Sequence, residues 1–331
     1  MSAFGLGPLP GGSIKQAADV ILSETGDLPH LPQLPTRGLG ADAVGATAGL
    51  LESIALDRGP RSWIMSDRPQ LLTRRAWDQM ARDLDECEEA WGTSLGALKI
   101  QVTGPWTLAA SVELASGHRV ITDRGAVRDL SDALIEGTNA HAREVAKRFG
   151  AEVVVQLDEP LLAEINTGNL VGASDFNPIR PVNERDLAER LEHVVSGIER
   201  PQVLLNQTGY APLWEVATLS GASTTLLNVD KVRGTAQLDG FGQAVSAGVR
   251  IGLGITDPTD RIDALGESPR ARAVEVARFW DELGLDRLLL IDRVDVHPRA
   301  GINQGTLIDA AHAYRMAVAV ESMLRTDAGN L

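Results

Sequence analysis

Two carboxylates stand side by side where an apolar segment of the sequence ends. Asp158 and Glu159 follow the run VVVQL and precede Pro160, which ends a strand because proline has no N–H to donate. Carboxylates that are partly removed from water can bind a substrate ammonium group, grip adjacent N–H donors of a heterocycle, or move a proton. Both residues are therefore candidate catalytic and substrate-binding residues. The alternative is that they cap a following helix or pair with a nearby arginine.

Polar side chains also follow other apolar runs of the chain. The carboxyl ends of parallel strands meet at one edge of a sheet, so these side chains are predicted to share a rim. A rim rich in acids and amides suits a small, polar, partly cationic molecule, whereas the alternative is that they are ordinary helix N-caps. These rim candidates are Asn206, Gln207, Asn228, Asp230, Thr256, Asp257, Asp292 and Asp295.

Eight short apolar runs position these residues, and amphipathic segments with helical spacing lie between them. The runs are continuous rather than alternating, which is typical of strands buried on both faces of a parallel sheet. Eight strands alternating with helices predict an α/β fold, a closed (β/α)₈ TIM barrel that residues 1–331 form as a single domain. The predicted strands are residues 3–7, 63–66, 98–104, 152–158, 202–207, 224–230, 250–257 and 287–293.

An open doubly wound sheet is the alternative architecture. It requires a glycine-rich turn that leads into a helix. The only comparable segment, GLGPLPGG at residues 5–12, contains two prolines and lacks the GxGxxG spacing. The proline-rich segment 27–38 is predicted to be a loop folded over one end of the barrel.

Composition limits the classes of partner. The 331 residues include 31 Lys and Arg against 45 Asp and Glu, a net charge of −14. An acidic surface repels phosphate backbones and anionic lipids, so nucleic acid and membranes are excluded as expected partners. One cysteine, Cys87, cannot form an intramolecular disulfide or a multi-thiolate metal site. With no visible signal peptide or membrane span, we expect a cytoplasmic protein that acts on small molecules.

Two longer motifs resemble a known family. KIQVTGPWTLAASVEL at 99–114 and VVVQLDEPLL at 153–162 are similar to the catalytic barrel of the cobalamin-independent methionine synthases, especially the short actinobacterial members. GLGPLPG, PHLPQLP and GLGITDP fit the same pattern, and the resemblance extends from about residue 3 to about residue 320. It implies methyl transfer from 5-methyltetrahydrofolate to the homocysteine thiol, in methionine biosynthesis.

The resemblance also implies roles for individual residues. Asp158 and Glu159 match the family's acids that help bind the amino acid or the pteridine edge. Gly7 stands in the family's N-terminal glycine turn, where the backbone can approach a ligand. Trp106 is expected either to stack on a flat heterocycle or to be a core wedge between strand and helix.

The family's zinc ligands are largely missing. Family members hold zinc with His-x-Cys after the fifth strand, an acid after the sixth, and Cys near the eighth. Here Leu205 and Gln207 replace the expected His and Cys, while Asp230 and His297 occupy the other two ligand positions. Leucine cannot bind a metal, and a glutamine amide is a poor replacement for thiolate. We therefore expect no tightly bound zinc, although the family implies one.

Three functions remain open from the sequence. The first is methyl transfer to a thiol in the manner of the family. The second is a different small-molecule reaction, without metal, at Asp158 and Glu159. The third is a non-catalytic ligand-binding barrel, and the oligomeric state, including a homo-oligomer, is left open.

Overall fold

A computed structural model describes residues 1–51, 53–69, 71–172, 178–327, 329 and 331 of the chain. None of the helices in these described residues combines the length and the apolar character required to span a bilayer. The described strands are β1 (Ala55–Arg58), β2 (Trp63–Ser66), β3 (Ala97–Thr103), β4 (Val112–Glu113), β5 (Glu152–Asp158), β6 (Val203–Asn206), β7 (Thr224–Asn228), β8 (Arg250–Thr256) and β9 (Val294–Pro298). The described α-helices are α1 (Ile14–Glu24), α2 (Ala43–Ala48), α3 (Leu71–Trp91), α4 (Pro105–Ser111), α5 (Arg124–Phe149), α6 (Leu162–Thr167), α7 (Glu184–Gly197), α8 (Trp214–Leu219), α9 (Thr235–Ser246), α10 (Glu267–Glu282), α11 (Arg287–Arg293) and α12 (Leu307–Asp327).

Six parallel strands form the main sheet, in the order β3-β5-β6-β7-β8-β9. Their register brings carboxyl ends level: Thr103 lies beside Asp158, and Asp158 lies beside Asn206. The prediction of an α/β fold with a parallel sheet is confirmed. Five predicted strands, from residues 98–104 to residues 250–257, correspond to β3, β5, β6, β7 and β8.

The two faces of the main sheet have different neighbours, because side chains alternate along each strand. Val153, Val155 and Leu157 belong to the large core that the sheet shares with helices. Val154, which points the opposite way, packs in a separate cluster with Phe4. We call the helix-covered side the outer face and the side of Val154 the inner face.

The first predicted strand lies against the last strand of the main sheet. Ala3 forms a parallel bridge with Val296 of β9. The backbone N–H of Phe4 donates to the Val296 carbonyl at 3.1 Å, and the N–H of Val296 donates to the Ser2 carbonyl at 2.9 Å. Residues 2–4 therefore extend the pairing of the sheet beyond β9.

The proline-rich segment 27–38 pairs with the other end of the sheet, so the prediction of a loop is wrong for its central part. The N–H of Leu31 donates to the Lys99 carbonyl at 2.9 Å, which joins the segment to β3. The N–H of Leu9 donates to the Gln33 carbonyl at 2.8 Å. The two N-terminal segments thus pair with each other as well as with the two edges of the main sheet.

Residues 63–66 form a strand, but not one of the main sheet. They are β2 of a second sheet with the order β1-β2-β4. β2 runs antiparallel to β1, and all four of its residues are partly exposed. The prediction that residues 63–66 belong to the barrel is wrong, because the place beside β3 is taken by the segment around Leu31.

The last predicted strand, residues 287–293, is the helix α11. The Asp286 side chain accepts a hydrogen bond from the N–H of Leu288 at 2.9 Å and caps this helix. The strand begins one residue after the helix, at Val294, and its sequence VDVHP alternates apolar with polar residues. A continuous apolar run did not distinguish a helix from a strand here.

Candidate functional site

Asp158 ends β5 on the inner face and is partly exposed. Its Oδ1 atom accepts hydrogen bonds from Gln156 Nε2 and from Asn206 Nδ2, both at 2.7 Å. Burial raises the pKa of the Asp158 carboxyl, while these two hydrogen bonds and the positive charge of Lys99 lower it. No described residue donates a hydrogen bond to the second oxygen, Oδ2. One oxygen of the carboxylate is thus fixed in place, and the other has no described partner.

Lys99 lies on the inner face below Asp158, and its side chain is completely buried. Its Nζ atom donates to Gln156 Oε1 at 2.6 Å and lies 5.6 Å from the centre of the Phe4 ring. If the Gln101 amide is turned over, its oxygen also accepts from Nζ at 3.0 Å. Burial lowers the pKa of Lys99 to about 7, opposed by the charge of Asp158.

The Glu159 carboxylate binds the N-terminal end of a helix and does not line the carboxyl-end rim of the sheet. Its completely buried carboxylate accepts from the backbone N–H groups of Trp106 and Thr107 at 2.8 Å, and from Thr107 Oγ1 at 2.6 Å. These groups open α4, whose N-cap residue Gly104 has no side chain to cap it. Burial raises the pKa of Glu159 to about 7, although the three hydrogen bonds oppose the shift. Of the two predicted acids, Glu159 therefore caps a helix, but this helix precedes it in the chain, whereas the alternative was a cap of a following helix.

Trp106 lies in the core between helices. Its indole Nε1 donates to the Leu187 carbonyl of α7 at 3.0 Å, and only 8% of the residue is exposed. This position matches the core-wedge alternative and not a stacking surface.

Gly7 has φ +117°, and a Cβ there would lie 2.6 Å from Gln33 Oε1, so a side chain is strained at this position.

Leu205 and Gln207 do not face the inner side of the sheet near Asp158. Leu205 is completely buried in the core shared with the helices. Gln207 is also completely buried, and its Oε1 accepts from the N–H of Leu213 at 3.1 Å. Asn206, between them, donates to Asp158 and accepts from the N–H of Thr208 at 3.0 Å. At the end of β6, the inner-face position therefore belongs to Asn206.

A second group of polar side chains lies at the ends of β7 to β9. Asn228 Nδ2 donates to the Thr208 carbonyl at 2.8 Å, which joins it to the Asp158 side. A Cβ on Gly254 would lie 2.0 Å from Asn228 Oδ1 and 3.0 Å from His297 Cε1, so these two side chains meet above this glycine. Asn228 Oδ1 and His297 Nε2 are buried without a hydrogen-bond partner among the described residues.

The protonation state of His297 follows from its surroundings. Its Nδ1 atom lies 2.7 Å from the Pro298 carbonyl, so Nδ1 carries the proton. Burial lowers the pKa of His297 to about 4, and the ring is neutral at pH 7. Its Nε2 atom is then a hydrogen-bond acceptor. Asn228 Oδ1 and His297 Nε2 together present two acceptors and no donor.

These residues do not fit the zinc ion that the resemblance implies. Asp230 lies beside the Arg299 guanidinium at 3.9 Å, and Arg299 also binds Asp257 at 2.6 Å. Cys87 is buried on α3, where burial raises the pKa of its thiol. Within the described ranges, no three His, Cys, Asp or Glu side chains are grouped so that they could hold a metal ion. A catalytic zinc requires about three protein ligands, and here His297 is the single neutral nitrogen at the expected place.

Two rim candidates lie at the other end of the strand. Because the final strand begins at Val294, Asp292 belongs to α11 and Asp295 lies near the start of β9. Asp295 Oδ1 accepts from the N–H of Ser2 at 2.7 Å and therefore ties down the N-terminus. The prediction that these two residues line the rim is wrong.

A further rim candidate, Thr256 at the end of β8, is buried and donates to the Ala313 carbonyl at 3.1 Å.

Lys99 and Gln156 were not predicted as site residues from the sequence. The hydrogen bond between Asn206 and Asp158 was not predicted either. A signal was present: in LKIQVT, residues 98–103, polar side chains occupy alternate positions. A period of two indicates a strand with one polar face. Lys99 could have been found as an inner-face residue from that pattern.

Comparison with known proteins identifies the family to which the chain belongs. The family model described as "Cobalamin-independent synthase, Catalytic domain" matches residues 34–322. The chain belongs to this family. The match includes both motifs that carry the resemblance, TGPWTLA and QLDEP, so the family prediction is confirmed.

Two solved structures are similar to this member of the cobalamin-independent synthase family. One is a B12-independent methionine synthase from Shewanella sp. W3-18-1 in complex with selenomethionine, with 13% identity, a TM-score of 0.48, and coverage of 85% of this chain and 77% of that chain. The other is a GH20 beta-N-acetylhexosaminidase from Streptomyces coelicolor A3(2), with 11% identity, a TM-score of 0.32, and coverage of 67% and 45%. No curated protein matches the sequence.

Proposed function

We propose that this protein binds an amino-acid-type substrate through its ammonium group at Asp158, and acts on it without a zinc ion. The observation that carries the proposal is the asymmetric environment of the Asp158 carboxylate. Gln156 and Asn206 hold Oδ1, while Oδ2 has no described donor. One free carboxylate oxygen suits a single N–H donor, such as a primary ammonium group, better than a two-pronged guanidinium.

The rest of the site supports a ligand that brings hydrogen-bond donors. Asn228 Oδ1 and His297 Nε2 are acceptors without described partners. Lys99 donates to Gln156, and Arg299 Nη1 pairs with Asp257, although Arg299 Nε has no hydrogen-bond partner among the described residues. Because Asp158 Oδ2, Asn228 Oδ1 and His297 Nε2 are all acceptors, an ammonium group or the N–H edge of a heterocycle fits these three atoms better than an anionic group does.

We propose further that the whole chain is one domain and that its sheet closes into an eight-membered barrel. The two N-terminal segments supply the two missing members, because one pairs with β9, the other pairs with β3, and they pair with each other. Closure would explain how the inner face excludes water from Lys99. In this arrangement Asp158 belongs to the carboxyl-end rim, where barrel enzymes have their active sites.

The second candidate function is the family's reaction, methyl transfer from 5-methyltetrahydrofolate to homocysteine. The family match over residues 34–322 favours it. Both candidates share an amino acid held at Asp158 and differ in the need for zinc. The donor set at Leu205, Gln207 and Asp230 opposes the zinc-dependent form.

A cytoplasmic location and small-molecule partners stay predictions from the sequence.

Calorimetric titration with homocysteine and with methionine tests the binding site. We expect the Asp158→Asn substitution to weaken binding by roughly 10- to 100-fold, because a hydrogen bond to a charged group contributes about 1.5–3 kcal/mol. Asp239→Asn, on an exposed residue of α9, is the matched control and should bind as the unaltered protein does. Equal affinities for the Asp158 variant and the control would contradict the proposal.

A turnover assay separates the two candidate functions. The protein is supplied with 5-methyltetrahydrofolate and homocysteine, once with added zinc and once with a chelator. Turnover that requires zinc would favour the family's ordinary reaction and contradict the zinc-free one. Turnover unaffected by the chelator would support methyl transfer without zinc, whereas binding without turnover would fit either a different reaction or a non-catalytic ligand-binding barrel.

A further inference from the structure

The middle of the inner face holds a cation that the proposed substrate does not touch. Lys99 is completely buried, four positions before the end of β3. Burying a lysine costs free energy unless its charge is compensated, and an apolar side chain would fill the same space at lower cost. Its presence therefore requires an explanation beyond packing.

A continuous path of hydrogen bonds leads from Lys99 to Asp158. Lys99 Nζ donates to Gln156 Oε1 at 2.6 Å, and Gln156 Nε2 donates to Asp158 Oδ1 at 2.7 Å. The same Nε2 atom donates to the Leu6 carbonyl at 2.9 Å, which fixes the orientation of the amide. The amide is thus polarised by the cation on its oxygen side, and its nitrogen side becomes a stronger donor to the carboxylate.

We propose that Lys99 is a positioning residue for Asp158, which holds the carboxylate ionised and in place for a ligand's ammonium group by acting through Gln156. The proposal deepens the proposed function and rests on it for the identity of the ligand. Lys99 itself is buried below the carboxylate and makes no contact with that ligand.

The other titratable groups that face Lys99 do not supply this charge. His30 lies on the segment paired with β3, and His297 lies on β9. Burial lowers the pKa of His30 to about 3 and that of His297 to about 4, so both rings are neutral above about pH 5. Asp158 on β5 is the remaining charged neighbour. Between about pH 5 and pH 7, where Lys99 still carries its proton, Lys99 is therefore the one cation described inside this network.

The test measures the Asp158 carboxyl directly, by carbon NMR of protein labelled at aspartate side-chain carboxyls, with Asp158→Asn to assign the signal. Two variants remove the charge: Lys99→Met removes the hydrogen bond as well, and Lys99→Gln retains a donor for Gln156. We expect the carboxyl titration to move to higher pH by about one unit or more in both variants, because Asp158 loses its compensating charge. Lys147→Met, on an exposed lysine of α5, is the control and should leave the titration unchanged.

Ligand binding gives a second readout of the same proposal. Binding weakens as pH falls through the titration of Asp158, and this acid limb should move to higher pH in both Lys99 variants, with about tenfold lower affinity per unit of displacement. An unchanged carboxyl titration in both variants would overturn the proposal, and a normal titration in Lys99→Gln alone would also overturn it, because orientation without charge would then suffice. If the unaltered protein binds no amino acid, the proposed function fails, but the carboxyl titration still decides the role of Lys99.

Discussion

The two faces of the main sheet carry opposite chemistry, although the same strands build both. On β3, Leu98 and Ile100 pack with the helices of the outer face, while Lys99 between them points to the inner face. On β5 the same alternation separates Val155 from Gln156. The outer face is mainly apolar along the strands, with Thr225 of β7 as an exception, and the inner face becomes polar from its middle to its carboxyl end.

The difference teaches that adjacent acids in a sequence need not share a role. Asp158 ends β5 on the inner face and has one oxygen without a described partner. Glu159, one residue later, is buried among the N–H groups that begin α4. We infer that the outer-face acid stabilises the fold and that the inner-face acid binds the ligand. This division can be broken experimentally by measuring stability and binding in the same variants.

The largest effect is expected for Glu159→Ala. The substitution leaves the N–H groups of Trp106 and Thr107 without an acceptor and opens a small cavity, so we expect a loss of about 4 kcal/mol in the free energy of unfolding. Urea unfolding measures it, and Glu164→Ala, on an exposed residue of α6, should lose little. If Glu159→Ala instead abolished ligand binding at unchanged stability, the division between the two faces would be wrong.

The pH dependence of stability is the next largest effect. Because burial raises the pKa of Glu159 to about 7, the folded protein holds this proton more tightly than the unfolded chain does. The contribution of Glu159 to the free energy of unfolding is therefore complete below the ordinary glutamate pKa. It is lost as pH rises through about 7, a decrease of up to about 3 kcal/mol. Unfolding measured from pH 4.5 to 8 in the unaltered protein and in Glu159→Gln isolates it. If the free energy of unfolding had the same slope against pH in both proteins, the pH dependence would belong to other groups. The control Glu164→Gln should keep the slope of the unaltered protein.

Most of the main sheet could be predicted from the sequence because its strands are short apolar runs with clear ends. β5 and β8 were found in this way. Two features could not be predicted from such runs. Residues 287–293 are equally apolar, but the cap at Asp286 turns them into a helix. Residues 30 and 33 form isolated parallel bridges despite the neighbouring prolines, which fits positions where proline's missing N–H is not required.

The candidate site was predictable only in part. A strand end followed by an acid pointed to Asp158, since the carboxyl ends of parallel strands share one edge. The two β6 positions expected to hold zinc ligands, Leu205 and Gln207, do not belong to the inner face, and Asn206 between them does. A shift of one residue exchanges the two faces of a strand, so small errors of alignment reverse the role of a side chain.

Leu205→His tests that assignment of faces. On the outer face the imidazole enters an apolar core, so we expect a loss of about 2 kcal/mol in the free energy of unfolding and no gain in zinc affinity. Leu219→His, on a residue of α8 that is 47% exposed, is the control and should be nearly neutral. Zinc binding by the Leu205 variant, measured by calorimetry, would mean that residue 205 reaches the inner side.

The smallest effect is expected for Trp106→Phe, and it distinguishes a core wedge from a stacking surface. Phenylalanine fills most of the same space but cannot donate to the Leu187 carbonyl, so the loss of stability should be about 1 kcal/mol. Affinity for a folate should stay unchanged, because Trp106 packs against α7 on the outer side of the sheet. Trp77→Phe, on a half-buried residue of α3, provides the matched control. A tenfold loss of folate affinity at unchanged stability would instead bring Trp106 into the ligand site, and the outer face could no longer be treated as purely structural.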